Sequence, residues 1–561
     1  MNRRPRRMHR GLAVAFLIGG VLSACGGNSP TSGTEPSPSV GGDTTLPSET
    51  TEAPVFTNPP TTTSPELVAA NGGTLVVSIE GDSTGFNPTA DAWANGGHNV
   101  ARAVFDTLAT YDESGKVVPY LAESITPNAD ATVWTVVVRP GVTFHDGTPL
   151  TADAVRQNFQ ASKDSPAFGS QLKLIDSMTV VDDLTLEIAM TQAWATFPNV
   201  LTGDIGSQIG YMAAPAMLTD PDGARNPIGT GPFTFVEWVP DDHLTVARNE
   251  SYWQRPAYLD QVVFKPIPDS TSRKAAFDAG DTDLYYTGSS LEITEYLPMQ
   301  EAGELNVAIG APSEPDVVMF NTLKAPFDDV RVRRALAMAV DIPRLYDFLE
   351  ATGVKQPLTG PYAPSSFWFT PSNYPEYDLE GAAALIAEYE AEVGPVVFDF
   401  NGNQDPFITS YQELFQSMWS EIGAEANIVS KAQSENIASV IAGDYQIVLW
   451  GGIGGADPDA DYPDFHSGTG LNFSGFNTPE MDAALDAGRA LTDPEARKEQ
   501  YAIVQEILGE NVPFIWTGTN QFGVMSKATV QGVGQFLLPD ETPGQAISGG
   551  RIMLKDVWVI Q

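Results

Sequence analysis

Three carboxylates at alternate positions, Asp457, Asp459 and Asp461, follow a strand-like apolar run, Tyr445–Trp450, and a stretch of glycines. Oxygen donors so spaced suit either a hard cation or a protonated amine. The calcium-loop pattern fails, because Tyr462 stands where a glycine is required and Gly468 where a bidentate glutamate is required. An ammonium group fits better, since a carboxylate partly shielded from water makes charge-assisted hydrogen bonds to it. Trp450, just before the glycines, would supply an aromatic wall. A second candidate is Gly81-Asp82-Ser83-Thr84-Gly85, which has the form of a nucleophile elbow. The elbow needs a helix directly after it, and Phe86-Asn87-Pro88 is turn chemistry instead. With no acid and histidine in a recognisable triad context, no catalytic residue is assigned. His145, alone in a turn, reads as structural, so no metal site and no cofactor are expected. An aromatic, proline-rich loop, Tyr362–Tyr377, carries Phe367 and Trp368 and reads equally as lobe packing or as a ligand wall.

Composition bounds the setting for these residues. At 561 residues the chain should form two or three lobes. Its formal net charge of −41 lacks the basic footprint that nucleic acid demands and suits a soluble exported body. The single cysteine, Cys25, rules out a disulfide framework and a thiolate metal cluster. Arginines 3, 4, 6, 7 and 10 precede an apolar stretch, Gly11–Ala24, that is too short to span a bilayer. Leu22-Ser23-Ala24-Cys25 then matches the bacterial lipobox, which implies lipid on Cys25 and cleavage before it. Residues 26–70, rich in Ser, Thr, Pro and Gly, cannot bury enough surface to offset ordering and read as a tether.

The elements that would position the chemistry are legible from pattern. A strand over 74–79 leads into the Ser83–Thr84 loop. Val100–Tyr111 reads as a helix. Thr151 can cap a helix over 152–159. Asn226–Trp253 opens with a Gly-Pro turn cluster, alternates through Phe233, Phe235 and Glu237, turns at Asp241-Asp242 and returns through Leu244, Val246 and Arg248: a hairpin. Ser270–Ala279 reads as a helix. Val332, Leu336, Ala339 and Val340 form the inward stripe of another, which puts Arg333 and Arg334 largely on its polar face. Residues 396–400, 409–421 and 424–429 read as a strand, helix and strand of an α/β unit.

The residues say more than the periodicity. Gly229-Thr230-Gly231-Pro232-Phe233, then Trp238, then Ala247-Arg248-Asn249 closing on Tyr252-Trp253, resembles the central motif of the family 5 extracellular solute-binding proteins, the peptide and nickel receptors of ABC importers. So do Arg139–Leu150 (RPGVTFHDGTPL), Asp328–Asp341 and Val512–Trp516, in family order. The resemblance implies an α/β fold: a two-lobed periplasmic-binding-protein-like clamp of the large type. Lobe I would comprise 72–111, 225–314 and 522–561, with a subdomain, 112–224, inserted in it, and lobe II would comprise 315–521. It implies a non-enzymatic, lipid-anchored receptor that captures peptides between the lobes and delivers them to a membrane permease with its cytoplasmic ATPase, as a monomer. The alternatives are a receptor for a nickel chelate, a glycan or another small solute, and a cell-envelope lipoprotein that does not transport. In the family the loop after the first strand faces the cleft, which nominates Ser83 and Thr84. A Trp-Gly…Ala-Asp loop holds the peptide's amino terminus in peptide-binding members. Asp457 is its best match, but extra glycines between Trp450 and Asp457 leave Asp459 or Asp461 as alternatives.

Overall fold

The computed structural model describes residues 68–561 apart from 92, 167, 204–207, 312–314, 350–353, 405, 432, 452–456 and 470–471. Cys25, its leader and residues 26–67 of the tether lie outside the described residues, as does most of the glycine run before Asp457.

The first lobe is built on a seven-stranded sheet. Its order is Leu305–Ile309, Gly523–Lys527, Leu284–Thr287, Thr74–Ile79, Gln261–Pro266, His243–Arg248, Phe233–Val239. Thr74–Ile79 sits at its centre, parallel to Gln261–Pro266 and to Leu284–Thr287, with Leu75, Val77 and Ile79 fully buried. The hairpin expected from Asn226–Trp253 forms its far edge, and Asp241 at the turn takes a positive φ of 63°. The preceding Gly-Thr-Gly cluster is there for close approach: a side chain at Gly229 or Gly231 would collide with the backbone of Val104 and Phe105. Gly231 N–H donates to the Val104 carbonyl at 2.9 Å, and His145 Nε2 lies 3.0 Å from the Gly231 carbonyl. His145 is thus a strut between the inserted segment and the central motif.

The first helix differs from its expectation. It runs Asn95–Val104 rather than Val100–Tyr111. Phe105 is already extended, and Ala109–Tyr111 pairs as a strand with Val117–Pro119. The docking of Gly231 on Val104 replaces the continuation of the helix. An antiparallel four-stranded sheet of Ala122–Pro127, Val133–Val138, Thr185–Met190 and Ile175–Val180 makes the insert, covered by helix Ala152–Asp164, which Thr151 caps by accepting from Ala154 N–H at 3.2 Å.

The second lobe carries a five-stranded sheet in the order Glu425–Lys431, Val397–Asn403, Ile447–Gly451, Pro315–Phe320, Phe514–Thr519. Val397–Asn403 and Glu425–Lys431 pair in parallel through helix Pro406–Ser420, the expected α/β unit. Strict alternation along Pro315–Phe320 divides two cores. Val318 and Phe320 face Phe398, Phe400 and Trp419, whereas Val317 and Met319 face Phe514, Trp516 and Tyr501. Arg333 corrects its expectation: it is 4% exposed and donates to the carbonyls of Asn511 and Phe327, tying helix Val330–Met338 to the end of helix Pro494–Asn511. Arg334 donates to the carbonyls of Gly509 and Glu510.

The chain crosses between the lobe sheets twice. Leu305–Ile309 runs on to Pro315–Phe320, and Phe514–Thr519 runs back to Gly523–Lys527. The two crossings are tied where Gly310 N–H donates to the Phe522 carbonyl at 2.9 Å.

Candidate ligand pocket at the crossing end of the second lobe

Strand Ile447–Gly451 ends paired with Asp316, the second residue after the crossing, and the turn that carries the candidate acids comes after it in the chain. A single 3₁₀ turn, Pro458–Asp461, with Asp457 at its start, gives the three candidate acids different surroundings.

Asp457 starts the turn, accepting from Asp459 N–H at 2.9 Å. Arg497, from helix Pro494–Asn511, forks onto it with both terminal nitrogens, each 2.6 Å from a carboxylate oxygen. Both partners are largely buried, and Arg497 also donates through Nε to the Gly488 carbonyl at 2.8 Å. Such a bidentate pair saturates the carboxylate. The carboxylate expected to hold a ligand's amino group is thus already paired with Arg497 in this structure. Asp459 is paired as well. Arg489 Nε donates to its Oδ1 at 2.7 Å and the Thr196 hydroxyl to its Oδ2 at 2.6 Å.

Asp461 differs from both. It is 5% exposed and makes no ion pair among the described residues. Burial first, then the carboxylates of Asp464, Asp457 and Asp459, push its pKa well above the usual carboxylate range. The Tyr362 hydroxyl lies near enough to pull it back somewhat without a hydrogen bond of normal geometry. Asp461 lines a pocket with an empty volume of about 410 Å³, counted out to its open mouth. Trp450, Phe465, Phe473, Phe514 and Trp516 supply its aromatic walls, and Pro315 and Gly451 place it at the crossing end of the sheet. Trp450 and Phe473 meet edge to face at 5.9 Å. The Trp516 indole N–H is buried and has no acceptor among the described residues. An aromatic cavity with one under-compensated carboxyl and one idle donor suits an ammonium next to a carbonyl.

The remaining candidates lie elsewhere. Trp368 meets Tyr501 edge to face at 5.8 Å, the Arg497 guanidinium lies 4.9 Å from its ring centre, and its carbonyl accepts from Gln505 Nε2 at 3.0 Å, so it packs the loop onto helix Pro494–Asn511. Phe367 is 46% exposed, with Lys498 Nζ 4.7 Å from its ring centre. Neither lines the Asp461 pocket. Ser83 and Thr84 belong to the first lobe: Ser83 packs against Gly97 at the start of the first helix, and Thr84 is exposed. No helix follows the Gly81–Gly85 segment directly, as its turn residues implied. Sequence reasoning missed Arg497, Arg489, Thr196 and Trp516. The two arginines lie 40 and 30 residues from their acids and Thr196 lies 263 away, so no local spacing pointed to them.

Residues 116–473 match the family of bacterial extracellular solute-binding proteins, family 5, middle part. The chain belongs to that family. Among curated relatives, heme-binding protein A of Haemophilus influenzae is 28% identical over 497 residues, covering 80% of this chain and 88% of the relative. The nickel-binding periplasmic protein of Escherichia coli is 26% identical over 476 residues, covering 79% and 89%. Among solved structures, the ABC transporter substrate-binding protein CtaP of Listeria monocytogenes superposes with a TM-score of 0.75 at 22% identity, covering 88% of this chain and all of that one. The two-lobed α/β clamp is therefore the family fold. As a family 5 solute-binding protein, the chain is an extracytoplasmic substrate-binding protein of the ABC-importer type and not an enzyme.

Proposed function

We propose that this family 5 protein captures ligands bearing a protonated amino group, peptides first among them, and that Asp461 receives the ammonium. The observation that carries this reading is the Asp461 carboxyl itself, buried in an aromatic pocket without a cation of its own among the described residues. A receptor for many peptides must read what all peptides share, their termini and backbone. The ammonium would lie on Asp461, and the first carbonyl would accept from the idle Trp516 N–H. Trp450 and Phe473 would enclose the first side chain. The lipobox order of residues 1–25 supports anchoring through acylated Cys25, which would hold the body near a membrane permease.

Calorimetry on four combinations tests it: trialanine and N-acetyl-trialanine, each with wild type and with Asp461→Asn. Removing either charge should weaken binding by about 1.5–3 kcal/mol, the worth of a hydrogen bond to a charged group. Removing both should cost little more than removing one. Additive losses would show that Asp461 does not hold the amine.

A further inference from the structure

The saturated acid Asp459 reaches across the molecule. Its Oδ2 accepts from Thr196 of the inserted subdomain, and one residue earlier the Ala195 N–H donates to the Arg489 carbonyl at 2.9 Å. Both sides of this contact are rigidly mounted. Trp194 is buried against Phe197 at 5.3 Å, and its carbonyl accepts from the Trp134 indole at 2.9 Å, which fixes the segment that presents Ala195 and Thr196. On lobe II the Arg489 guanidinium lies 3.5 Å from the centre of the Tyr462 ring, and the Tyr462 hydroxyl donates to Asp486 at 2.7 Å. Thr196 itself is 3% exposed. Along the chain the insert reaches lobe II only by way of lobe I and the two crossings, so this contact closes a ring between them.

We propose that Thr196 and Asp459, with Ala195 and Arg489 beside them, form a latch that holds the inserted subdomain against lobe II. Thr196 and Asp459 act as positioning residues: they touch each other and set the angle at which the cleft is shut. Asp459 shares its four-residue turn with Asp461, so the latch and the pocket are two ends of one small element. An ammonium on Asp461 would offset the repulsion among the carboxylates of that turn and steady the bond that Asp459 already makes to Thr196. This coupling rests on the amine reading given above, but the latch itself does not.

The Ala195 amide reports the latch directly, because its hydrogen bond crosses between the lobes. Hydrogen–deuterium exchange of the full chain should show that amide protected in wild type. Thr196→Val should speed its exchange about tenfold, the loss of one hydrogen bond of roughly 1.4 kcal/mol, and leave the amides of strand Val133–Val138 unchanged. Should that strand also loosen, Asp459→Asn, on the opposite lobe, carries the same test. Asp482→Asn, which alters a different contact of lobe II, should have no effect. An Ala195 amide that exchanges at the unprotected rate in wild type, or at the wild-type rate in both variants, would overturn the latch. Added trialanine should slow the amide further in wild type and not in Asp461→Asn. If trialanine has no effect while Thr196→Val keeps its own, the amine reading fails and the latch stands.

Discussion

The first lobe buries Asp106, along with Glu292 and Asp556, and the second buries Asp461; Asp106 and Asp461 are bound to their surroundings in opposite ways. Asp106 lies in the first lobe, 5% exposed, and accepts from Trp253 Nε1 at 2.8 Å, the Tyr252 hydroxyl at 3.1 Å and the Thr230 hydroxyl at 3.2 Å. Those donors come from the central motif, Thr230 from its opening and Tyr252-Trp253 from its close. Burial raises the Asp106 pKa to about 7 against the pull of these bonds. Asp461, equally buried, is surrounded by acids, with the Tyr362 hydroxyl as the donor near it, where Asp106 has three donors. Burial alone therefore does not mark a binding residue. The count of donors separates the two: Asp106 is consumed in holding its lobe together, while Asp461 keeps unused acceptor capacity, which is what the proposed amine site requires.

The sharpest way to break this comparison is to truncate both acids. Asp106→Ala would strand three buried donors, each worth about 1–3 kcal/mol when unpaired. It should cost several kcal/mol in denaturant unfolding of the first lobe. Asp461→Ala removes a carboxyl that repels its neighbours and should leave stability unchanged or slightly raised. Equal losses from the two changes would end the distinction.

The next test is pH. Asp106 binds its proton more tightly folded than unfolded, because its pKa rises from 3.8 to about 7. Its contribution is fully present below pH ~4, falls as pH rises through 7 and is then constant. About three pKa units correspond to roughly 4 kcal/mol. Unfolding free energies at pH 4, 5.5, 7 and 8 should show part of this decline in wild type, and Asp106→Asn should flatten it. Asp461 shifts in the same direction, so Asp461→Asn should remove a further, separate share. An undiminished decline in Asp106→Asn would mean that Asp106 stays ionised throughout.

The smallest effect sharpens the comparison from the donor side. The Trp516 N–H has no acceptor among the described residues, so Trp516→Phe loses no hydrogen bond in the free protein. The thermal midpoint without ligand should be close to that of wild type, whereas trialanine should bind about 1 kcal/mol more weakly, one neutral hydrogen bond. A loss of stability without loss of affinity would place Trp516 in the core alone.

Much of the scaffold was legible because its causes are local. Thr151 caps the helix after it, accepting from the Ala154 amide three residues on, and the helix expected from Ser270 forms over Ser270–Asp278. The Phe233–Arg248 hairpin arises from alternation broken by Asp241-Asp242. The first helix was misjudged at its end because Gly231 stops it at Val104, a contact 127 positions away that leaves no mark on the helix's own residues. Arg333 was misjudged because helical spacing gives a face but not what covers it, and here the carbonyl of Asn511 does.

The acid turn divides local from tertiary causes most clearly. Sequence by itself determined that a run of carboxylates comes after a buried strand, that aromatic residues stand near, and that the chain carries the motifs of a family 5 clamp. Residue type and spacing could not rank Asp457, Asp459 and Asp461, and only the family resemblance favoured Asp457, because three like acids at alternate positions are chemically identical until their partners are known. Those partners are two arginines from later helices and a threonine from the other lobe. Charge neutralisation acts over a few ångströms of space whatever the separation along the chain, so only the packed structure decided which carboxylates were paired and which was buried without a cation among the described residues.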